Sequence, residues 1–214
     1  MKNICCIVNP VSGLKKSLKV YYEAKNYFEK PGFNTSLFVS KYPNHIQDYV
    51  SKIDKNSFER IIVFGGDGSL NEVVNGLKNS NNLQNFKLGV IPTGSGNSVA
   101  HDTGLLDLKD AINKSLGDNT IKMDVNQVDF DSYSRISVSI LGWGMFSYGN
   151  IRAEKLRLLG PIRYDIASII TLLEILTGFT LVYGLYFALV MKTTLWIFYG
   201  LVLCALNLIA LLFG

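Results

Sequence analysis

One carboxylate stands among three glycines in RIIVFGGDGSLNEVVNGL, residues 60–77, where four apolar residues run into Gly65-Gly66-Asp67-Gly68 and a helical pattern begins at once. A tight turn needs about one glycine, so three imply that the main chain comes very close to something. Two further loops share this character: NPVSG, Asn9 to Gly13, and PTGSGN, Pro92 to Asn97. Small residues leading into a helix start expose N–H groups beside the positive helix end, a combination that favours an anion, most often phosphate. An aspartate at such a mouth can hold a hydroxyl, or a metal-bound water, in line with a phosphoryl group. It can equally be a plain helix cap. The known phosphate loops do not fit. GxxxxGK[ST] is absent, and both Gly66-Asp67-Gly68 and Gly94-Ser95-Gly96 lack the third glycine of GxGxxG.

These loops need a scaffold, and the first half of the chain supplies one. NICCIV, NTSLFVS, RIIVF and KLGVI read as strands. Between them LKKSLKVYYEAKNYFEK, HIQDYVSKID and the stretch from about Ser69 to Asn79 read as helices, and short helices near 97–101 and in LKDAINKSLG follow the fourth strand. Apolar runs alternating with helical periods predict a parallel α/β sheet. The loops after the first, third and fourth strands would then share the carboxyl edge, where ligands bind in such folds. After Gly117 the pattern changes: TIKMDVNQVDF and RISVSILGW read as consecutive strands with no helix between them.

Composition sets wider bounds. A chain of 214 residues has room for one domain, or one and part of a second. A net charge of +4, spread out, leaves no nucleic-acid footprint. Cys5, Cys6 and Cys204 make neither a disulfide framework nor a CxxC pair, as in a reducing compartment. From Ile175 to Gly214 the sole charge is Lys192, and TTLWIFYGLVLCALNLIALLF is long enough to cross a hydrocarbon core. With ILTGFTLVYGLYFALVM before it, the tail reads as a membrane hairpin, with an altered chain end and a buried core segment as the competing readings. The division expected is 1–120, 121–174 and 175–214. The sequence carries no signal for an oligomeric state.

NPVSG, GGDGSLNEVVNGL and PTGSGNSVA, in this order, resemble the catalytic-domain signature of the diacylglycerol kinase and sphingosine kinase superfamily, over roughly residues 1–174. The resemblance implies an α/β nucleotide-binding domain like that of NAD kinase and phosphofructokinase, followed here by the start of a β-sandwich and an apolar helical tail. It implies a lipid kinase using ATP and Mg²⁺. The apolar tail, with Lys and Arg just ahead of it, predicts in addition a membrane association with the catalytic part facing the cytoplasm. Carried over by position, Asn9, Ser12, Gly13, Ser40, Asn44 and His45 would border the nucleotide. Gly65, Gly66, Gly68, Thr93, Gly94, Ser95 and Gly96 would lie against the phosphates, with Glu72 on the nucleotide side. Asp67 would accept the proton of the lipid hydroxyl.

GWGMFSYGNIRAEKLRLLGPIRYDI, Gly142 to Ile166, is similar to the corresponding segment of sphingosine and ceramide kinases, with Arg157 and Arg163 at the positions of phosphate-contacting arginines. Guanidinium forks suit phosphate oxygens, and the same residues also suit a lipid headgroup layer. Where the family places acidic residues that meet the lipid's polar head, this chain has Tyr148 and Asn150. Gly65 and Asn150 would touch the lipid, and Asn150 favours ceramide or another neutral alcohol over the ammonium of sphingosine. The family's late Asp-Gly-Glu has no counterpart after residue 174. Three functions therefore stand side by side: a lipid kinase for a sphingoid-type hydroxyl, a membrane-anchored pseudokinase that binds nucleotide or lipid, and a relative of NAD kinase.

Overall fold

The computed structural model describes residues 1–191, 201, 202 and 205. Four parallel strands form the central sheet: β1 (Lys2–Val8), β2 (Phe33–Val39), β3 (Arg60–Gly65) and β4 (Lys87–Pro92), in the order β2-β1-β3-β4. Successive side chains of a strand point to opposite faces, and the core divides accordingly. Cys5, Ile7, Ile61 and Val63 pack one face under α2 (His45–Val50) and α3 (Asp67–Asn79). Ile4, Cys6, Val8, Ile62, Phe64 and Ile91 pack the other under α1 (Ser17–Phe28) and α5 (Leu108–Leu116). A strand buried on both sides must be apolar throughout, which is why NICCIV and RIIVF show no alternation.

The chain reverses its direction of travel across the sheet between β1 and β3. The loop after β1 leads to α1 on one face and the loop after β3 to α3 on the other. Such a switch point opens a crevice at the carboxyl edge. The amino edge is closed by charge. Arg60, 2% exposed, donates to the carbonyls of Ser115 and Gly117 and lies 3.6 Å from Asp118, which takes a 2.6 Å hydrogen bond from Lys2. The Lys2 ammonium holds the Asp118 carboxyl below its ordinary value. This contribution is present above the unfolded carboxyl value and is lost as pH falls through the lowered one. Solvent screens it, since the Asp118 side chain is 70% exposed.

Boundaries shift for local reasons. The first helix starts at Ser17 rather than Leu14, because the left-handed turn at Gly13 continues through Leu14 and Lys15, with φ of 60° and 65°. The third starts at Asp67, two residues earlier than the pattern suggests. The two strands expected after Gly117 form an antiparallel hairpin, β5 (Asn126–Asp129) with β6 (Ser134–Ser137). It is anchored by α3. Asn75, 2% exposed, donates 2.8 Å to the Ile136 carbonyl and accepts 2.9 Å from the Ile136 N–H, as a neighbouring strand would. Asn71, one turn earlier, accepts from the Val138 N–H. Gly76 lets α2 approach: a Cβ there would meet the Gln47 carbonyl and Val50 at 2.8 Å.

Contacts divide the chain into two compact units, Met1–Leu141 and a second beginning at Gly142. The second contains α6 (Met145–Lys155), a 3-10 turn (Arg157–Ile162) and α7 (Arg163–Met191). The composition break near Glu174 falls inside α7, where Glu174 pairs with Arg152 at 2.7 Å. Leu158–Tyr186 is long and apolar enough to cross a membrane, with a mean hydropathy of 1.9 over its most apolar window. The second arm of the expected hairpin, 193–213, lies outside the described residues except at 201, 202 and 205.

Replacing Asn75 by alanine leaves the buried N–H and C=O of Ile136 unpaired, each costing about 1–3 kcal/mol. Denaturant unfolding of Asn75→Ala is expected to show a loss of about 3 kcal/mol, with an unchanged slope.

Candidate functional site

The glycines of the crevice answer mainly to one another. A Cβ on Gly94 would lie 2.5 Å from the Gly66 Cα and 2.7 Å from Asn97 Oδ1. One on Gly13, whose φ is +50°, would lie 1.8 Å from the Thr93 carbonyl oxygen. At Gly65 a Cβ would meet Ser69 at 2.5 Å. The close neighbour implied by the sequence is therefore the chain itself at these positions. Gly68 differs. Nothing lies within 4 Å of its Cβ position and the residue is exposed, so among the three glycines of the motif it alone faces open space.

Polar bonds complete the joint. Asn9 Nδ2 donates 3.0 Å to Ser69 Oγ, linking the loops after β1 and β3. Ser17 and Thr93 share a buried hydroxyl bond of 2.7 Å, linking α1 to the loop after β4. The Asn97 amide brackets Gly94, accepting from its N–H and donating to its carbonyl, both at 2.8 Å. Ser12 and Thr93 are buried within this joint, at 9% and 8% exposure, while Ser95 is half-buried and Gly96 exposed above it.

Asp67 sits at the centre. It is the first residue of α3, but its carboxylate does not cap that helix. Oδ2 accepts from the Ser98 N–H at 2.9 Å and Oδ1 from the Val99 N–H at 3.0 Å, the first two residues of α4 (Ser98–Asp102). The plain cap of its own helix is therefore not what Asp67 is: it caps α4 instead. A carboxylate has about four lone-pair sites; two are used, and the others can accept a hydroxyl.

Ser40, Asn44, His45 and Glu72 form an adjoining group. The Ser40 N–H donates 2.9 Å to the Val8 carbonyl, placing the loop after β2 next to Asn9. Glu72 Oε2 accepts from the Ile46 N–H at 3.1 Å, tying the first turn of α2 to α3. His45 Nδ1 accepts from the Lys41 N–H at 3.0 Å. A polar cleft of about 430 Å³ between α2, α3 and the β5–β6 hairpin is lined by Asn44 of this group together with Asp48, Asn79 and Arg135. Among the described residues no cluster of three His, Cys, Asp or Glu could hold a metal ion.

The other predicted residues belong to the second unit. Asn150 is exposed on α6 and Arg157 opens the 3-10 turn. Arg163, 6% exposed, donates to the Tyr164 hydroxyl at 2.7 Å and pairs with Glu154 at 3.1 Å. Sequence reasoning missed Ser17, Ser69, Asn75 and Asn97. Asn71 and Asn75 did carry a signal, two amides four apart on one helix face.

A methyl group discriminates between the two kinds of glycine. Gly94→Ala is expected to lower unfolding stability by about 3 kcal/mol through overpacking. Gly68→Ala is expected to stay within about 1 kcal/mol of the parent and to lean toward stabilisation. Thermal melts of the two variants check the contrast.

Comparison with known proteins identifies the family. Residues 3–128 match the family described as diacylglycerol kinase catalytic domain. Sphingosine kinase 1 of Arabidopsis thaliana is 30% identical over 174 residues, covering 77% of this chain and 36% of its own length. Ceramide kinase of Homo sapiens is 30% identical over 194 residues, covering 81% and 36%. A solved structure of a diacylglycerol kinase from Bacillus anthracis str. Sterne aligns at 26% identity and a TM-score of 0.42, over 52% of this chain and 38% of its own. The chain thus spans about a third of the length of these curated relatives. With the family match over residues 3–128, this chain belongs to the diacylglycerol kinase catalytic domain family.

Proposed function

We propose that this chain transfers the γ-phosphoryl group of ATP to a hydroxyl of a sphingoid-type lipid. The observation that carries the reading is Asp67, fixed by the Ser98 and Val99 N–H groups beside the open Gly68. Phosphoryl transfer asks little covalent chemistry of a protein; it asks for positioning and charge stabilisation. ATP supplies the transferable group, and Mg²⁺ neutralises charge on its phosphates. Such an ion usually keeps several waters and takes one or two carboxylates besides the phosphates, and Asp67 is the carboxylate that the joint presents.

The residues divide the task. Asn9, Ser12, Gly13, Gly66, Thr93, Gly94, Ser95 and Gly96 make a stiff wall, and Gly68 leaves room for phosphate oxygens against the α3 end. Asp67 accepts the hydrogen bond of the lipid hydroxyl and aims its oxygen at the γ-phosphorus. It takes the proton as the new P–O bond forms and the bond to the β–γ bridging oxygen breaks, releasing ADP. Glu72 holds α2, and with it Ser40, Asn44 and His45, beside the nucleotide. Within the second unit, Arg157 carries a guanidinium suited to phosphate charge and Asn150 an exposed amide suited to a lipid's polar head. Asn150, an amide where an acid would attract ammonium, favours ceramide or another neutral lipid alcohol. Residues 1–120 serve as the nucleotide domain, 121–174 begin the β-rich domain, and 175–214 associate with a membrane. Arg152, Lys155, Arg157 and Arg163 ahead of the apolar stretch set the catalytic part on the cytoplasmic side. The net charge of +4 leaves nucleic acid aside as a partner.

A binding-only reading has one observation in its favour: both oxygens of Asp67 already accept N–H groups. Transfer from labelled ATP with Mg²⁺ to sphingosine, ceramide and diacylglycerol in mixed micelles separates the two. The expected result is a phosphorylated lipid, with Asp67→Asn lowering the rate by about 10²–10⁴-fold. An asparagine turns an NH₂ toward one of the two N–H groups, so a melt of the variant must accompany the assay. No product from folded protein that binds ATP supports the binding-only reading.

A further inference from the structure

We propose that the exposed ring of Tyr42, seated on His45, is the platform on which the nucleotide's base stacks. The inference rests on the nucleotide-binding reading of the same edge. A file of rings runs outward from the core on this side of the sheet. The Tyr49 hydroxyl lies 3.8 Å from Cys5 Sγ, and the Tyr49 ring stacks on Phe38 with centroids 3.8 Å apart and planes within 9°. Phe38 meets His45 at 4.8 Å, and His45 stacks on Tyr42 at 4.2 Å and 24°. The file ends there: no further ring stacks on Tyr42 among the described residues, and Tyr42 is 54% exposed.

Three observations make this end a receptor for a planar heterocycle. First, the file is rigid. The Lys41 N–H fixes the His45 ring through Nδ1, and Glu72 fixes the start of α2 through the Ile46 N–H. Second, it stands at the right place. The Tyr42 loop leaves β2 at the carboxyl edge, one strand from Asn9, to which it is tied by the Ser40 to Val8 bond. The phosphate-facing joint occupies the loops after β1, β3 and β4, so a ligand lying along the edge carries its base toward β2. Third, two residues on from Tyr42, the amide of Asn44, in the lining of the polar cleft, makes no capping bond. Asparagine is a favoured helix N-cap, yet Asn44 at the N-cap of α2 makes no side-chain capping bond and is exposed, the Ile46 N–H being taken by Glu72 instead. Its donors and acceptor can meet the polar edge of a base whose face lies on Tyr42.

Stacking on an aromatic ring tolerates any base, whereas the phosphates bind elsewhere, and this separates the two parts of the ligand. Calorimetric titration of the full chain in detergent, with Mg²⁺, compares ATP with inorganic tripolyphosphate. Tyr42→Ala is expected to weaken ATP about tenfold and leave tripolyphosphate unchanged, while Tyr42→Trp retains ATP affinity. Unchanged ATP affinity in Tyr42→Ala overturns the proposal, as does an equal loss for ATP and tripolyphosphate, which marks a damaged loop. A parent protein that binds tripolyphosphate as well as ATP overturns the platform and spares the phosphate site. One that binds neither overturns the nucleotide reading itself.

Discussion

Main chain meets main chain at the carboxyl edge, where Gly94 lies against Gly66 and Gly13 against the Thr93 carbonyl. Everything proposed for this protein depends on that joint. Loops that follow parallel strands diverge toward helices on opposite faces, and left alone they would be mobile surface segments. Here the absence of three β-carbons lets them touch, and Asn9, Ser17, Ser69, Thr93 and Asn97 bolt them together through side-chain bonds. The result is a rigid rim, which a phosphoryl-transfer site requires because positioning is most of its catalysis.

The rim also gives one carboxylate a structural duty beside the catalytic one proposed for it. Asp67 neutralises the exposed N–H groups of a helix that is not its own, and this interaction sets the direction of its remaining lone pairs. A base on a free side chain would lose that direction. A similar economy runs down α3. Glu72 holds α2, Asn75 holds β6, and Gly76 lets α2 come close. Asn71 and Asn75 face the β5–β6 hairpin while Glu72 and Gly76 face α2, so the helix that starts with Asp67 also organises its surroundings.

Much of this was legible in the residues. Strands buried on both faces announce themselves as apolar runs, and the three loops stand out by composition. The sense of the glycines was not legible. A glycine that spares a ligand and a glycine that spares another loop look alike in sequence, and within the Gly65-Gly66-Asp67-Gly68 motif it is Gly68 that faces open space. Asp67 reads as a cap or as a base because the helix it caps is thirty-one residues away along the chain. The start of α1 was misplaced because left-handed backbone at Leu14 and Lys15 has no side-chain signature. The break near Glu174 marks a change of solvent preference within α7 and leaves the backbone helix intact.

The central claim is that the three joined loops form one phosphate-binding surface. Hydrogen–deuterium exchange of the full chain, with and without Mg²⁺ and ATP, tests it most directly. The account predicts slowed exchange in the segments holding Asn9–Gly13, Gly65–Ser69 and Thr93–Ser98 together, at the same nucleotide concentration. Slowed exchange in one of these segments alone, or in none while ATP is bound, would contradict it.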